Sequence, residues 1–197
     1  TVFDEFHRID AIKGHRKARL TSPSPRRLAV VDALEACPAG SWIGVDEFFR
    51  FIRAMDLKLE VANNLWELYI AEQEYGSLGY DSSHAWEQLQ GRYVLAFLFE
   101  VAATLGLLDV AYAPPQYARD DFRDRWGTDE FECFSRYDGL KFFRINGLGA
   151  WCLGLTKEYE PEVEHIEPNL QVLPNLDVVL VGKDSDPADL LVLDRFA

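Results

Sequence analysis

GRYVLAFLFEVAATLGLLDVAYA, residues 91–113, decides the fold: it is an almost wholly apolar helix that runs directly into a strand. Val94, Leu95, Leu98, Phe99 and Val101 leave no polar face, and a helix that is hydrophobic all round must be buried all round. Each large side chain fully buried there contributes roughly 1.5–3 kcal/mol, which makes this the central core element. The helix is expected from about His84 to Leu105, with Ser82 and Ser83 offering an N-cap and Gly106 its stop. Leu107 to Ala113 then alternates as a strand does.

Farther along, Phe131 to Ser135 and Leu140 to Ile145 flank Tyr137-Asp138-Gly139, a strong hairpin signal. The small residues of NGLGAWCLG predict a closing helix. Upstream, Ser24-Pro25 suits a helix start, with Leu28, Val31 and Leu34 expected along one face and Pro38 beyond the end. Trp42-Ile43 reads as a short strand. VDEFFRFIRAMD follows as a helix, with acids in its first turn and Phe48, Phe49, Ile52 and Met55 at helical spacing. LWELYI, residues 65–70, fits a strand or a helix equally. Helix, strand, helix, then helix and two strands are the parts of a winged helix, so the expected fold is α+β.

The expected organisation is a basic arm over residues 1–24, a winged-helix region, single or tandem, over 25–156, and an acidic linker over 157–168. From 169 to 197 the pattern is that of the beginning of an α/β domain, with LQVLPNLDVVLVG as strand, Pro174 marking a bulge or edge, and a last helix that runs to the end of the sequence. At 197 residues, 48% hydrophobic and 13% aromatic, the chain can bury one or two modest cores. No apolar run has the length of a membrane span, and no signal-peptide pattern is present. Cys37, Cys133 and Cys152 have no metal-like spacing and read as small hydrophobes in a reducing, cytoplasmic setting.

The net charge of −13 opposes non-specific attachment to phosphates or anionic lipid. It is unevenly spread. Residues 1–27 hold seven basic groups against three acids, a net of +4, so the remaining residues carry −17.

Three stretches, WIGVDEFFRFIRAMD, YGSLGYDSSHAWEQLQGRYVLAFLFEVAATLGLLDVAY and SRYDGLKFFRINGLGAWCLGL, resemble bacterial helicase-associated proteins built on the XPB-type helicase N-terminal or helicase conserved C-terminal domain. The tail LQVLPNLDVVLVGKDSDPADLLVLDRFA is similar to the opening strand and helix of that domain. The resemblance spans roughly residues 25–197 and is carried by core and turn positions. It implies a winged-helix region joined to an accessory domain, and not a motor, because GxxxxGK[ST] is absent.

Other chemistry is poorly supported. Gly147-x-Gly149 opens a helix after a strand, but Cys152 stands where the dinucleotide fingerprint needs its third glycine. Ser77 in YGSLG has Tyr75 at the first glycine position of a nucleophile elbow. Asp120, Asp121, Asp124, Asp129, Glu130 and Glu132 are dense enough to suggest a Mg²⁺ or Mn²⁺ site. Arg119, Arg123 and Arg125 interleave with them, as in a self-paired insert. Neither a metal nor a cofactor is expected.

For nucleic acid, the helix before the wing offers Gln88, Gln90 and Arg92, little with which to read bases. Phosphate contacts are expected from Arg16, Lys17 and Arg19 in the arm, with Arg26 and Arg27 just beyond it, and from Arg136, Lys141 and Arg144 in the wing. The function expected is a non-enzymatic adaptor of a DNA-processing assembly, touching DNA weakly through its backbone and docking a protein partner such as a helicase, away from membranes. A protein-binding scaffold without DNA affinity is the alternative, and a metal-dependent enzyme using the Asp-rich insert a minor one.

Overall fold

The computed structural model describes residues 3–14, 20–80, 85–161 and 170–180. The chain divides into two compact units, Thr1–Glu160 and Pro161–Ala197. The division falls inside the acidic stretch expected as a linker.

The first unit is mixed α+β. Helix α1 (Pro23–Glu35) leads through strand β2 (Trp42–Gly44) into α2 (Val45–Ala54). A continuous central helix follows, with wide π turns at Trp86–Gly91 and Phe97–Ala103 on either side of an α segment, α3 (Arg92–Ala96). It is the expected core element: Leu89, Tyr93, Val94, Leu95 and Leu98 are fully enclosed. Gly106, at φ +74°, ends it as anticipated. The amides of Gly106 and Leu107 bond back to the carbonyls of Ala103 and Ala102, the Schellman arrangement that only a residue tolerant of positive φ closes cheaply.

Strand β4 (Leu108–Tyr112) comes next and pairs antiparallel with β5 (Leu140–Ile145), which also pairs with β2, giving the order β2-β5-β4. Phe143 lies centrally in this sheet and meets Phe48 of α2 edge to face at 5.0 Å. Helix α4 (Gly147–Cys152) is capped by Asn146, whose side chain accepts from the Gly149 amide at 3.0 Å.

Several expectations are corrected. The antiparallel pair is formed by β4 and β5, not by residues 131–135 and 140–145; residues 131–135 are irregular, their backbone bonding to Ala11, Tyr117 and Thr128 and to the Asp138 side chain instead of to a neighbouring strand. Helix α1 starts at Pro23 with Ser22 before it, two residues earlier than read, and it buries Arg26, Ala29, Val30, Ala33 and Leu34 while Leu28 is exposed. Met55 lies outside the buried face of α2. Residues 65–70 are both things in turn, a 3₁₀ turn at Leu65–Glu67 and then β3 (Leu68–Ile70).

The arm is the largest revision. Its residues 3–14 are built into the unit: Glu5–Arg8 forms a 3₁₀ turn packed on α3, and β1 (Ile12–Gly14) pairs antiparallel with β3. Phe6, Ile9, Ala11 and Ile12 are buried, which is reason enough for the segment to dock.

In the second unit the described residues form an antiparallel hairpin, β6 (Leu170–Val172) with β7 (Val178–Leu180). Pro174 sits in its turn, not in a bulged strand, and Leu176 takes φ +71° there. Among the described residues no helix is long and apolar enough to cross a membrane.

Candidate nucleic-acid interface

Of the side chains with which the central helix could read bases, Gln88 and Arg92 are used internally. Gln88 is completely buried, and its amide donates to the Asp121 carbonyl at 2.9 Å. Arg92 is also completely buried. Its guanidinium donates to Asp138 Oδ1 at 3.1 Å and to Asp121 Oδ1 at 2.6 Å, with a further bond from Nη1 to Asp121 Oδ2. Burial works against a charge there, but the two carboxylates outweigh it and hold the Arg92 pKa above its ordinary value. The rings of Phe122 and Phe134, stacked on each other at 4.1 Å, lie within cation–π range of the same group. Asp138 also accepts from the Phe134 amide. Residues 114–139 therefore cover the first half of the central helix.

A second network accounts for two of the expected phosphate contacts. Arg26 is 1% exposed and forms a bidentate pair with Asp4, at 3.1 and 2.7 Å, above the ring of Tyr93. Arg27 donates to buried Glu5 at 2.7 Å and to the Phe3 carbonyl. Burial opposes the Arg27 charge, yet Glu5 keeps its pKa raised; burial, followed by Glu5, raises that of Tyr93. Arg26 and Arg27 thus tie the N-terminal turn to α1. A lone Arg-Arg step read as a basic patch because its acidic partners lie 22 residues away.

The remaining expected contacts divide three ways. Arg16, Lys17 and Arg19 lie outside the described residues. Arg144 is paired with Asp109 at 2.6 Å and lies over Trp42, directly across β2-β5-β4, so its charge is already engaged. Lys141 is exposed and donates to the Ala118 carbonyl, and Arg136 is exposed. Among the described residues, Arg136 and Lys141 border different hollows. Near α2 a hollow is lined by Arg50, Arg53, Arg119 and Lys141, but by Asp46, Glu87, Asp120 and Asp121 as well. Arg119 is paired there with Asp46 at 2.9 Å, and Arg53 with Glu87.

The charges of the Asp-rich insert, expected to pair among themselves, reach outward where their partners are seen: Arg119 pairs with Asp46 of α2. Asp121 is bound to Arg92, and Arg123 stacks over Tyr117. Among the described residues no group of three or more His, Cys, Asp or Glu side chains is placed to hold a metal ion.

Sequence reading missed an exposed aromatic group, Trp66, Tyr75, Tyr80 and Trp126. Its only signal was large rings in turn-rich, polar segments. Comparison of the chain with protein-family models, curated proteins and solved structures finds no match.

Proposed function

We propose that residues 23–155 form a winged-helix module that serves as a non-enzymatic docking adaptor in a DNA-processing assembly, without a base-reading helix. The connectivity supports the winged-helix reading: helix, strand, helix, helix and two strands, with the first strand joining the sheet beside the last. The observation that carries the functional reading is the burial of Gln88 and Arg92 beneath the insert. A helix meant for the major groove presents such side chains at its start; here they hold the protein together. Contact with DNA is then limited to phosphates, through Arg16, Lys17, Arg19, Arg136 and Lys141, and is indifferent to sequence. The helicase association rests on the resemblance described above. The acidic body, which repels phosphate, favours a protein as the principal partner.

Fluorescence anisotropy against single- and double-stranded DNA, at about 50 and 200 mM salt, tests this. The adaptor reading expects weak binding with no sequence preference and a log–log salt slope of about −4 to −5 for five phosphate contacts. Reversing Arg16, Lys17 and Arg19 should remove about three units of that slope. Absent or salt-insensitive binding would remove DNA from the function and leave a protein scaffold. Tight, sequence-selective binding would overturn the proposal.

A further inference from the structure

The hollow between the β3 turn and the insert, lined by Tyr75, Tyr80 and Trp126 with Asp124, has the composition of an aromatic cage, and we propose that it binds a methylated ammonium group. Tyr75, Tyr80 and Trp126 are 57%, 65% and 66% exposed, although their ring areas would contribute strongly if buried. Large aromatic rings left open together mark a binding surface more often than a solvated one. The rings of Tyr75 and Trp126 lie 5.8 Å apart at 50°, adjoining walls and not a stack. Tyr80 is braced from behind by Trp66, edge to face at 5.0 Å, and its hydroxyl donates to the Glu74 carbonyl.

The backbone around the rings is built for close approach. Gly127 takes φ +73°, and a Cβ there would stand 2.9 Å from Ala71 Cβ, so the insert turn seats directly on the turn after β3. A Cβ on Gly76 would stand 1.8 Å from the Ile70 carbonyl oxygen, which closes the turn that carries Tyr75. Ser77, buried, donates to the Trp66 carbonyl and accepts from the Gly79 amide. Two rings from one turn and one from the other thus share a single hollow by packing, not by sequence proximity.

Charge and size choose the occupant. Aromatic faces carry negative potential and attract cations, most strongly those that give up little hydration. Asp124 lines the cage, as does half-buried Arg125, and the two turns that carry the rings also carry the exposed Glu72, Glu74, Asp129 and Glu130. The hollow, about 170 Å³, is smaller than the roughly 300 Å³ at which pockets begin to enclose a drug-sized molecule, so it suits a head group. A nucleobase would stack on the same rings, but its phosphates would face those carboxylates.

The test is a titration of the full chain, ¹⁵N-labelled at the tryptophan indoles, with choline and with its neutral isostere 3,3-dimethylbutan-1-ol. Choline should move the Trp126 indole signal, assigned by its loss in Trp126→Phe, and bind about tenfold more tightly than the alcohol. Asp124→Asn, at an exposed position, should weaken choline about threefold and leave the alcohol unchanged. Tyr75→Ala should abolish the shift while the other indole signals stay in place. A trimethyllysine peptide that binds more tightly than choline assigns the ammonium to a protein partner; one that binds no better assigns it to a small molecule. Equal affinity for the two isosteres, or no movement of the Trp126 signal, would overturn the proposal.

Discussion

Arg92 and Asp138 stand 46 residues apart in the chain and form an ion pair in which neither side chain is exposed at all. The pair joins the core helix to the end of the insert, and Asp138 repeats the service locally by accepting the Phe134 amide at 2.9 Å. Removing one partner of a buried pair leaves an uncompensated charge in a low-dielectric interior. Asp138→Ala should therefore cost about 3–5 kcal/mol, read as a lowered urea midpoint at unchanged m-value. A loss below about 1 kcal/mol would show that Asp121 alone satisfies the guanidinium.

The N-terminal segment should behave as part of the core. Arg26→Ala strands the Asp4 carboxylate and removes the cation over Tyr93, so a loss of about 3 kcal/mol is expected. Arg27, whose side chain is a third exposed, should matter less. Neither change should alter the salt slope of DNA binding. A slope reduced by one unit in either variant would return that arginine to the phosphate-contacting set.

Glycines of two kinds can be told apart by alanine. At Gly149 a Cβ would meet the Leu107 carbonyl oxygen at 2.0 Å, forcing α4 away from the sheet, and Gly149→Ala should cost upward of about 3 kcal/mol. Gly40 takes φ +76° with open space around it, so Gly40→Ala should cost only the left-handed strain of about 1–2 kcal/mol. Thermal unfolding of the two variants should rank them in that order.

Thiol chemistry should separate the three cysteines. Burial pushes the Cys37 thiol up to about 11 from 9.0 and raises Cys133 as well, whereas Cys152 is exposed. With Ellman's reagent at pH 8, Cys152 should react first and Cys37 only on unfolding. Because the folded state holds the Cys37 proton more tightly, its contribution to stability is complete below about pH 9. It is lost as the pH rises through about 11. A stability that is flat across that window would place Cys37 in a more polar setting.

Much of the frame was legible in the chain because it rests on local signals. The almost wholly apolar run at residues 91–105 reads as a buried helix, and Gly106, with its positive φ, ends it. The elements α1, β2, α2, β4, β5 and α4 follow from periodicity and caps, each sensed within a dozen residues. What the tertiary structure alone decided is which charges meet. Asp4 with Arg26, and Asp121 and Asp138 with Arg92, are pairings across 22 to 46 residues, and a sequence window sees each arginine only as a free cation. The same holds for the cage, where Tyr75 and Trp126 are brought together by the seating of Gly127 on Ala71. Periodicity reports the face a residue turns inward; only the packed chain reports what waits there, because burial makes an unpartnered charge too costly to leave alone.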